Sequence, residues 1–209
     1  MKPLFPALLA VLILGATSAF AANAPKVPAP VEPAKPAAPK TETIDLQAKG
    51  RIIVTLPAGW TVLREDPDNP LDLTLKAPPG VNASARLTFG FPNEGAYETA
   101  TDVRTRATEL GEEHQDESVE RRTVLQTFKL RSGYGYYSSH TDPKLVGKKP
   151  VPEDYKTWTV GIIRPTPGLV GIVSIYCDDL AGTEFKQLLQ IVETLELLGP
   201  GGGRRRPEF

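Results

Sequence analysis

Ser138, Ser139 and His140 are consecutive in this chain, and Asp142 follows two positions later. Acyl-transfer chemistry requires a hydroxyl nucleophile, a histidine base and an orienting carboxylate that converge in space. Neighbouring side chains on a strand point to opposite faces, so Ser138 and His140 would share a face that Ser139 does not. No G-x-S-x-G elbow surrounds these serines. The pattern is therefore typical of a polar strand end, and a hydrolase using Ser138 or Ser139 with His140 is the alternative.

Residues that bind metals are sparse. The chain has two histidines, His114 and His140, and neither lies in a recognisable ligand spacing. Cys177 is the only cysteine, so no intramolecular disulfide can form, and its apolar surroundings in sequence predict a buried thiol. We therefore expect no metal site, no cofactor and no enzymatic activity.

A long segment rich in proline and lysine, residues 141–154, separates two predicted strands and has aromatic residues on both sides. Loops longer than about 12 residues are uncommon and are often functional. Aromatic side chains beside a basic loop suit a contact with a protein or a glycan, although packing of these rings in the core is equally natural. The candidate partner-binding residues are Tyr136, Lys144, Lys148, Lys149 and Tyr155.

The start of the chain has the pattern of a secretory signal peptide over residues 1–21. Lys2 is followed by an apolar run from Ala7 to Leu14 and then by Ala19-Phe20-Ala21, a small-x-small cleavage pattern. Residues 22–42 are rich in proline and alanine, which cannot form a core, so they are predicted to be a disordered linker. We expect an exported protein, periplasmic or extracellular, and a signal kept as an anchor is the alternative to cleavage.

The charge balance bears on the class of partner. The chain carries 24 basic and 25 acidic residues, a net charge of −1. Nucleic-acid-binding domains normally have a concentrated basic excess, so this balance argues against a nucleic-acid partner. No second apolar stretch reaches the length of a membrane span, so we expect no transmembrane segment after signal cleavage. Residues 199–209, with three glycines and three arginines in succession, are predicted to be a flexible tail.

Residues 43–198 have the periodicities of one folded domain. Alternating apolar residues such as Ile52, Val54 and Leu56 predict short strands, and spacings of three and four from Tyr97 to His114 predict a helix. Thr99 and Asp102 suit a capping box at the start of that helix. Four more strands are predicted before a closing helix that ends at Gly199-Pro200: Thr123–Leu130, Gly133–His140, Tyr155–Arg164 and Leu169–Cys177.

The last of these four strands is apolar on both sides, which predicts that both of its faces are covered. The gaps between strands are short, and short gaps favour antiparallel pairs. The sequence therefore predicts an α+β domain, a mostly antiparallel β-sheet flanked by two long α-helices.

The corner Leu56-Pro57-Ala58-Gly59-Trp60 resembles the P-x-G-W corner near the start of PsbP-like domains. The order of strands, helix, strands and closing helix over residues 43–198 is also similar to that family, whose fold is shared with the Ran-binding Mog proteins and with bacterial envelope proteins of the DcrB type. The resemblance implies a PsbP/Mog-like sandwich and a role that is not enzymatic. We therefore expect an exported, non-catalytic binding or assembly module that acts on another cell-envelope component, either a protein or a glycan.

The signal pattern predicts that export removes residues 1–21 and leaves Ala22 as the new N-terminus, because peptidase cleavage follows the small-x-small triplet. N-terminal sequencing of the exported protein measures this. Recovery of intact residues 1–21 from a membrane fraction would make the segment an anchor instead.

Overall fold

Short alternating segments become strands in this computed structural model, which describes residues 38–46, 49–64, 71–93 and 95–199 of the 209. The predicted signal peptide, residues 22–37 of the predicted linker and residues 200–209 of the predicted tail lie outside these residues. The described part contains ten strands and two helices. Their bounds are β1 Lys40–Asp45, β2 Arg51–Leu56, β3 Thr61–Arg64, β4 Asp72–Lys76, β5 Ala83–Gly90, α1 Ala100–Gln115, β6 Gln126–Thr127, β7 Tyr134–Thr141, β8 Thr157–Thr166, β9 Leu169–Cys177, α2 Thr183–Glu193 and β10 Glu196–Leu198.

The strands form two antiparallel sheets. The larger one has seven strands in the order β3-β4-β5-β9-β8-β7-β6, and the smaller one has the order β1-β2-β10. The predicted α+β class, with a mostly antiparallel sheet and two helices, is confirmed. Two details differ. β1 begins at Lys40, three residues before the predicted domain start, and the predicted closing helix ends at Glu193 and gives way to β10. β10 is too short to be seen as a periodic pattern, and it exists through its pairing with β2.

The main core lies between the large sheet, the small sheet and α2. Alternation sends every second side chain of each strand into it, because a strand has a period of two. The large sheet contributes Leu73, Leu75, Leu87, Val173 and Ile175; β2 contributes Ile52, Val54 and Leu56; and α2 contributes Phe185, Leu188, Ile191 and Val192. Cys177 is buried in this core as predicted, and burial raises the pKa of its thiol.

Helix α1 packs on the opposite face of the large sheet. Its predicted capping box is present: the Thr99 side chain accepts from the Asp102 N–H, and the Asp102 carboxylate accepts from the Thr99 N–H. Val103 and Ala107 of α1 pack on Ile162 of β8, whereas Ile163, the next residue, belongs to the main core. The two faces of the sheet are therefore covered by different elements.

Helix α1 lies over β7 and β8 and leaves part of the sheet face uncovered. Ile172 of β9 is 47% exposed as a result. The prediction that β9 is covered on both faces is wrong for the face that carries Ile172, because one helix cannot span the width of a seven-stranded sheet. No helix among the described residues is long and apolar enough to cross a membrane.

Trp60 joins the two sheets at the corner that the sequence singled out. Its side chain is 4% exposed, and its indole N–H donates to the Gln187 Oε1 atom at 3.0 Å. Gly59 adopts a φ of +81°, and a Cβ atom there would lie 2.7 Å from the Pro78 Cγ atom. A glycine is therefore required immediately before the buried ring.

We expect Trp60→Ala to lower the free energy of unfolding by about 3–5 kcal/mol, the usual cost of removing a large aromatic side chain from a core. Trp60→Phe is the matched control, since it keeps an aromatic ring and loses the hydrogen bond to Gln187. The loss of that bond should lower the free energy of unfolding by about 1 kcal/mol. Urea melts of the two variants and the parent measure both values. Equal losses in the two variants would contradict a packing role for the ring.

Candidate functional site

Strand β7 places Ser138 and His140 on the face that α1 covers. The Ser138 Oγ and His140 Nε2 atoms lie 3.0 Å apart, within hydrogen-bond distance. Ser139 lies on the other face, where its Oγ atom is 2.7 Å from the Thr159 Oγ1 atom. The structure therefore confirms that Ser138 and His140 share one face of the sheet and that Ser139 lies on the other.

The Ser138–His140 pair lies near the end of β7, as the sequence predicts, and it is buried there. Both side chains are 0% exposed. Gly111 of α1 makes this burial possible, because a Cβ atom at that position would lie 2.5 Å from the Ser138 Oγ atom and 2.6 Å from the Thr123 Cγ2 atom. The available sequence signal was a glycine inside a helix, which often marks close packing.

His140 lacks the orienting carboxylate of a catalytic triad. Its Nδ1 atom has no hydrogen-bond partner among the described residues. Glu120 instead accepts bonds from the N–H and hydroxyl groups of Thr141, and the Asp142 Oδ1 atom accepts from the Lys144 N–H. Within the same residues, no three histidine, cysteine, aspartate or glutamate side chains come together as a possible metal site.

Aromatic rings surround the buried histidine. Trp158 stacks on His140 with 5.6 Å between ring centroids, and His114 of α1 lies 6.0 Å from His140 and 6.2 Å from Trp158. Burial lowers the pKa of His140 below its ordinary value of 6.5, and His114 lowers it further, whereas Glu120 opposes the shift. The histidine therefore acts as a neutral packing partner that holds Trp158 in place.

A cleft of about 590 Å³ lies beside Trp158. We call it the Trp158 cleft. It lies between the C-terminal end of α1, the start of the β7–β8 loop and the uncovered sheet face. Its lining residues are Leu110, His114, Asp116, Glu117, Asp142, Pro143, Lys144, Trp158, Val160, Ile172, Ser174 and Tyr176.

The floor of the cleft is set by the register of β8 and β9. Trp158 is paired with Tyr176, and Val160 is paired with Ser174. Directly opposed side chains on one sheet face lie within contact distance, so the two aromatic residues stand side by side. Ile172 follows along the same face of β9 and is the most exposed part of the floor. The floor is thus mostly apolar and partly open to solvent.

Tyr155 supports this floor from the side. Its ring lies 5.6 Å from that of Tyr176, and its hydroxyl oxygen accepts a hydrogen bond from Ser84 at 3.2 Å. Asn82 fixes the end of the same loop, since its amide donates to the carbonyl of Val151 and to the Asp178 carboxylate. The C-terminal end of the β7–β8 loop is therefore attached through Asn82 to residues next to β5 and β9.

The rim of the cleft carries more acid than base. Asp116, Glu117 and Asp142 contribute carboxylates, and Lys144 contributes the one ammonium group among the lining residues. The structure gives the carboxylates of Asp116 and Glu117 no hydrogen bond or ion pair with any described residue. With histidine neutral, the lining has a net charge of −2.

The five predicted partner-binding residues do not come together. Lys144 lines the cleft, and Tyr155 supports its floor from the side. Lys148 and Lys149 are exposed further along the loop. Tyr136 is paired with Ile162 and packs beside α1, five residues along β8 from the end of the loop. The sequence did not indicate that Ile172, Tyr176, Asp116 and Glu117 lie in one cleft, because nothing in it places the end of α1 near that part of the sheet.

No family model matches this chain, and no curated protein sequence is similar to it at a significant level. Solved structures resemble it in fold. A cyanobacterial PsbP (CyanoP) from Synechocystis is 8% identical, with a TM-score of 0.49 over 80% of this chain and 97% of its own. The Ran-binding protein Mog1p of Saccharomyces cerevisiae is 13% identical, with a TM-score of 0.43 over 77% of this chain and 96% of its own.

A crystal structure from Bacteroides thetaiotaomicron is 14% identical, with a TM-score of 0.44 over 72% of this chain. The match spans only 46% of the length of that protein. The predicted resemblance to the PsbP and Mog proteins is confirmed at the level of fold. At these identities it says nothing about function.

The lowered pKa of His140 predicts a loss of stability in mild acid. The unfolded chain takes up a proton at His140 near pH 6.5, whereas the folded protein does so only at lower pH. The stabilisation is therefore complete above about pH 6.5 and is lost as the pH falls towards the folded pKa. Urea melts at about pH 7.5 and pH 5.5 measure this loss.

His140→Gln should reduce the acid-dependent loss, because glutamine does not titrate and can still bond to Ser138. His114→Gln is the matched control and removes the only other histidine. It should retain most of the loss, since burial is the largest cause of the shift. A loss that follows His114 alone would contradict this assignment.

Proposed function

We propose that this protein is an exported, non-catalytic binding module that holds another cell-envelope component in the Trp158 cleft. The observation that carries the proposal is the partly exposed aromatic and aliphatic floor, enclosed by helix α1 and the β7–β8 loop. In this proposal the domain is a PsbP/Mog-like sandwich whose large sheet forms the middle layer. The signal pattern and the Pro/Ala-rich segment would export the domain and hold it away from the start of the chain.

The floor has the features of a binding surface. A volume of about 590 Å³ lies within the usual range of roughly 300–1,000 Å³ for ligand sites. Trp158, Tyr176 and Ile172 are of the residue classes that contribute most to binding when water is excluded from them. A partner that covers Ile172 would remove the largest exposed apolar group from the floor.

The rings of the floor are packed against neighbouring rings, which lowers the cost of binding. Trp158 is stacked on His140, and Tyr176 is packed against Tyr155. Rings that are already fixed lose little rotamer entropy when a partner binds. The geometry therefore favours recognition by a preformed surface.

A hydrolase using Ser138 or Ser139 with His140 is the second candidate. One observation favours it, namely the 3.0 Å separation of the Ser138 Oγ and His140 Nε2 atoms. Two observations oppose it: both side chains are 0% exposed, and the His140 Nδ1 atom has no orienting partner among the described residues. A substrate would reach Ser138 only if α1 moved away. We therefore favour binding.

Photo-crosslinking in the native host tests the binding proposal. Benzoylphenylalanine in place of Ile172 should give a discrete adduct with one envelope component. The same group in place of Val124, which is 53% exposed and lies beside the β6 edge of the sheet, is the matched control and should give none. Trp158→Ala should weaken the adduct at position 172, because it removes the neighbouring ring of the floor.

Equal adducts at positions 172 and 124, or none at 172, would refute the cleft as a binding site. The hydrolase candidate has its own readout in the same purified protein. Ester hydrolysis that Ser138→Ala abolishes would replace binding with catalysis as the function.

A further inference from the structure

The rim of the Trp158 cleft carries unbalanced negative charge at the C-terminal end of a helix. Asp116 and Glu117 follow directly after the last residue of α1, and no described residue pairs with either carboxylate. The C-terminal end of a helix already carries a partial negative charge from its free carbonyl groups. Acidic side chains there are unfavourable unless a cation meets them. Among the described residues that line the cleft, Lys144 is the only lysine or arginine.

The floor beneath these carboxylates suits a cation that carries an apolar chain. Trp158 and Tyr176 stand side by side, and aromatic faces attract cations that lie over them. Ile172, 47% exposed on the same face, offers apolar surface to an alkyl chain. Lysine and arginine combine a charged head with an apolar stem, and they bury the stem while the head stays near charge and water.

We propose that the Trp158 cleft recognises a lysine or arginine side chain of a basic protein segment. The inference deepens the binding function proposed above and rests on it. The stem of the side chain lies on Ile172, and its charged head lies by the aromatic rings and the carboxylates of Asp116 and Glu117. A neutral glycan would use the rings and could donate hydroxyl hydrogen bonds to these carboxylates, but it would not neutralise their charge. The charge of the rim therefore favours a basic protein over a glycan.

The two tryptophans of the chain make the test direct, because one lies in the cleft and the other lies in the core. Pentalysine is titrated into the ¹⁵N-labelled exported protein at about 0.15 M salt, where charges farther than about 8 Å apart are largely screened. The indole N–H resonance of Trp158 should shift. The indole N–H resonance of Trp60, which is bonded to Gln187, should stay in place.

Matched charge variants separate the cleft from the general acidity of α1. Asp116→Asn with Glu117→Gln should weaken pentalysine binding about fivefold, as for the loss of partly exposed ion pairs. Glu112→Gln with Glu113→Gln removes the same charge from exposed positions of α1 that do not line the cleft, and should leave binding within about twofold. Lys144→Gln should strengthen binding, because it removes the competing cation from the rim.

Equal weakening by the two double variants would refute the proposal, and so would a Trp158 shift caused by chitotriose but not by pentalysine. These failures are distinguishable from failure of the binding function itself. An adduct at position 172 without any preference for pentalysine would leave the binding module standing and reject only its basic partner. Loss of the adduct at position 172 would reject both.

Discussion

The pairing of β8 with β9 supports both the core and the cleft. These strands lie next to each other in the large sheet, and their register fixes the destination of every side chain along them. Ile163 and Val173 point into the core, whereas Trp158 and Tyr176 point to the opposite face and form the floor of the cleft. A shift of one residue would exchange the two faces and place aromatic and polar groups in the core. The burial of Ile163 and Val173 in the core therefore also fixes the side chains that form the floor of the cleft.

The position of α1 depends on a close contact near its C-terminal end. Gly111 lets the helix approach β7 until Ser138 and His140 lose all exposure to water. The hydrogen bond between those two side chains gives the Ser138 Oγ and His140 Nε2 atoms a partner, which lowers the free-energy cost of burying them. The helix then ends at the edge of the uncovered sheet face, where its last turn and the residues after it form a wall of the cleft. Ser138 and His140, the residues that resemble part of a catalytic triad, thus help to position the wall of the Trp158 cleft.

The electrostatics of the cleft follow from the same packing. Acidic residues at the end of α1 would be an ordinary solvated surface on an isolated helix. Beside the aromatic floor of the cleft they form a patch of negative charge that Lys144 offsets only in part. Charge of this kind contributes chiefly to the choice of partner and to the rate of association. The floor contributes the apolar area that a partner can cover.

Local periodicity was enough to determine much of this protein. The alternation in Ile52, Val54 and Leu56 and the capping box at Thr99 and Asp102 each depend on neighbouring residues alone, and each was predicted. Tertiary structure decided the rest. The burial of His140 needs Gly111, the exposure of Ile172 needs the limited width of α1, and β10 needs its pairing with β2. These features join residues that are distant in the chain, and no local pattern records which of them will meet.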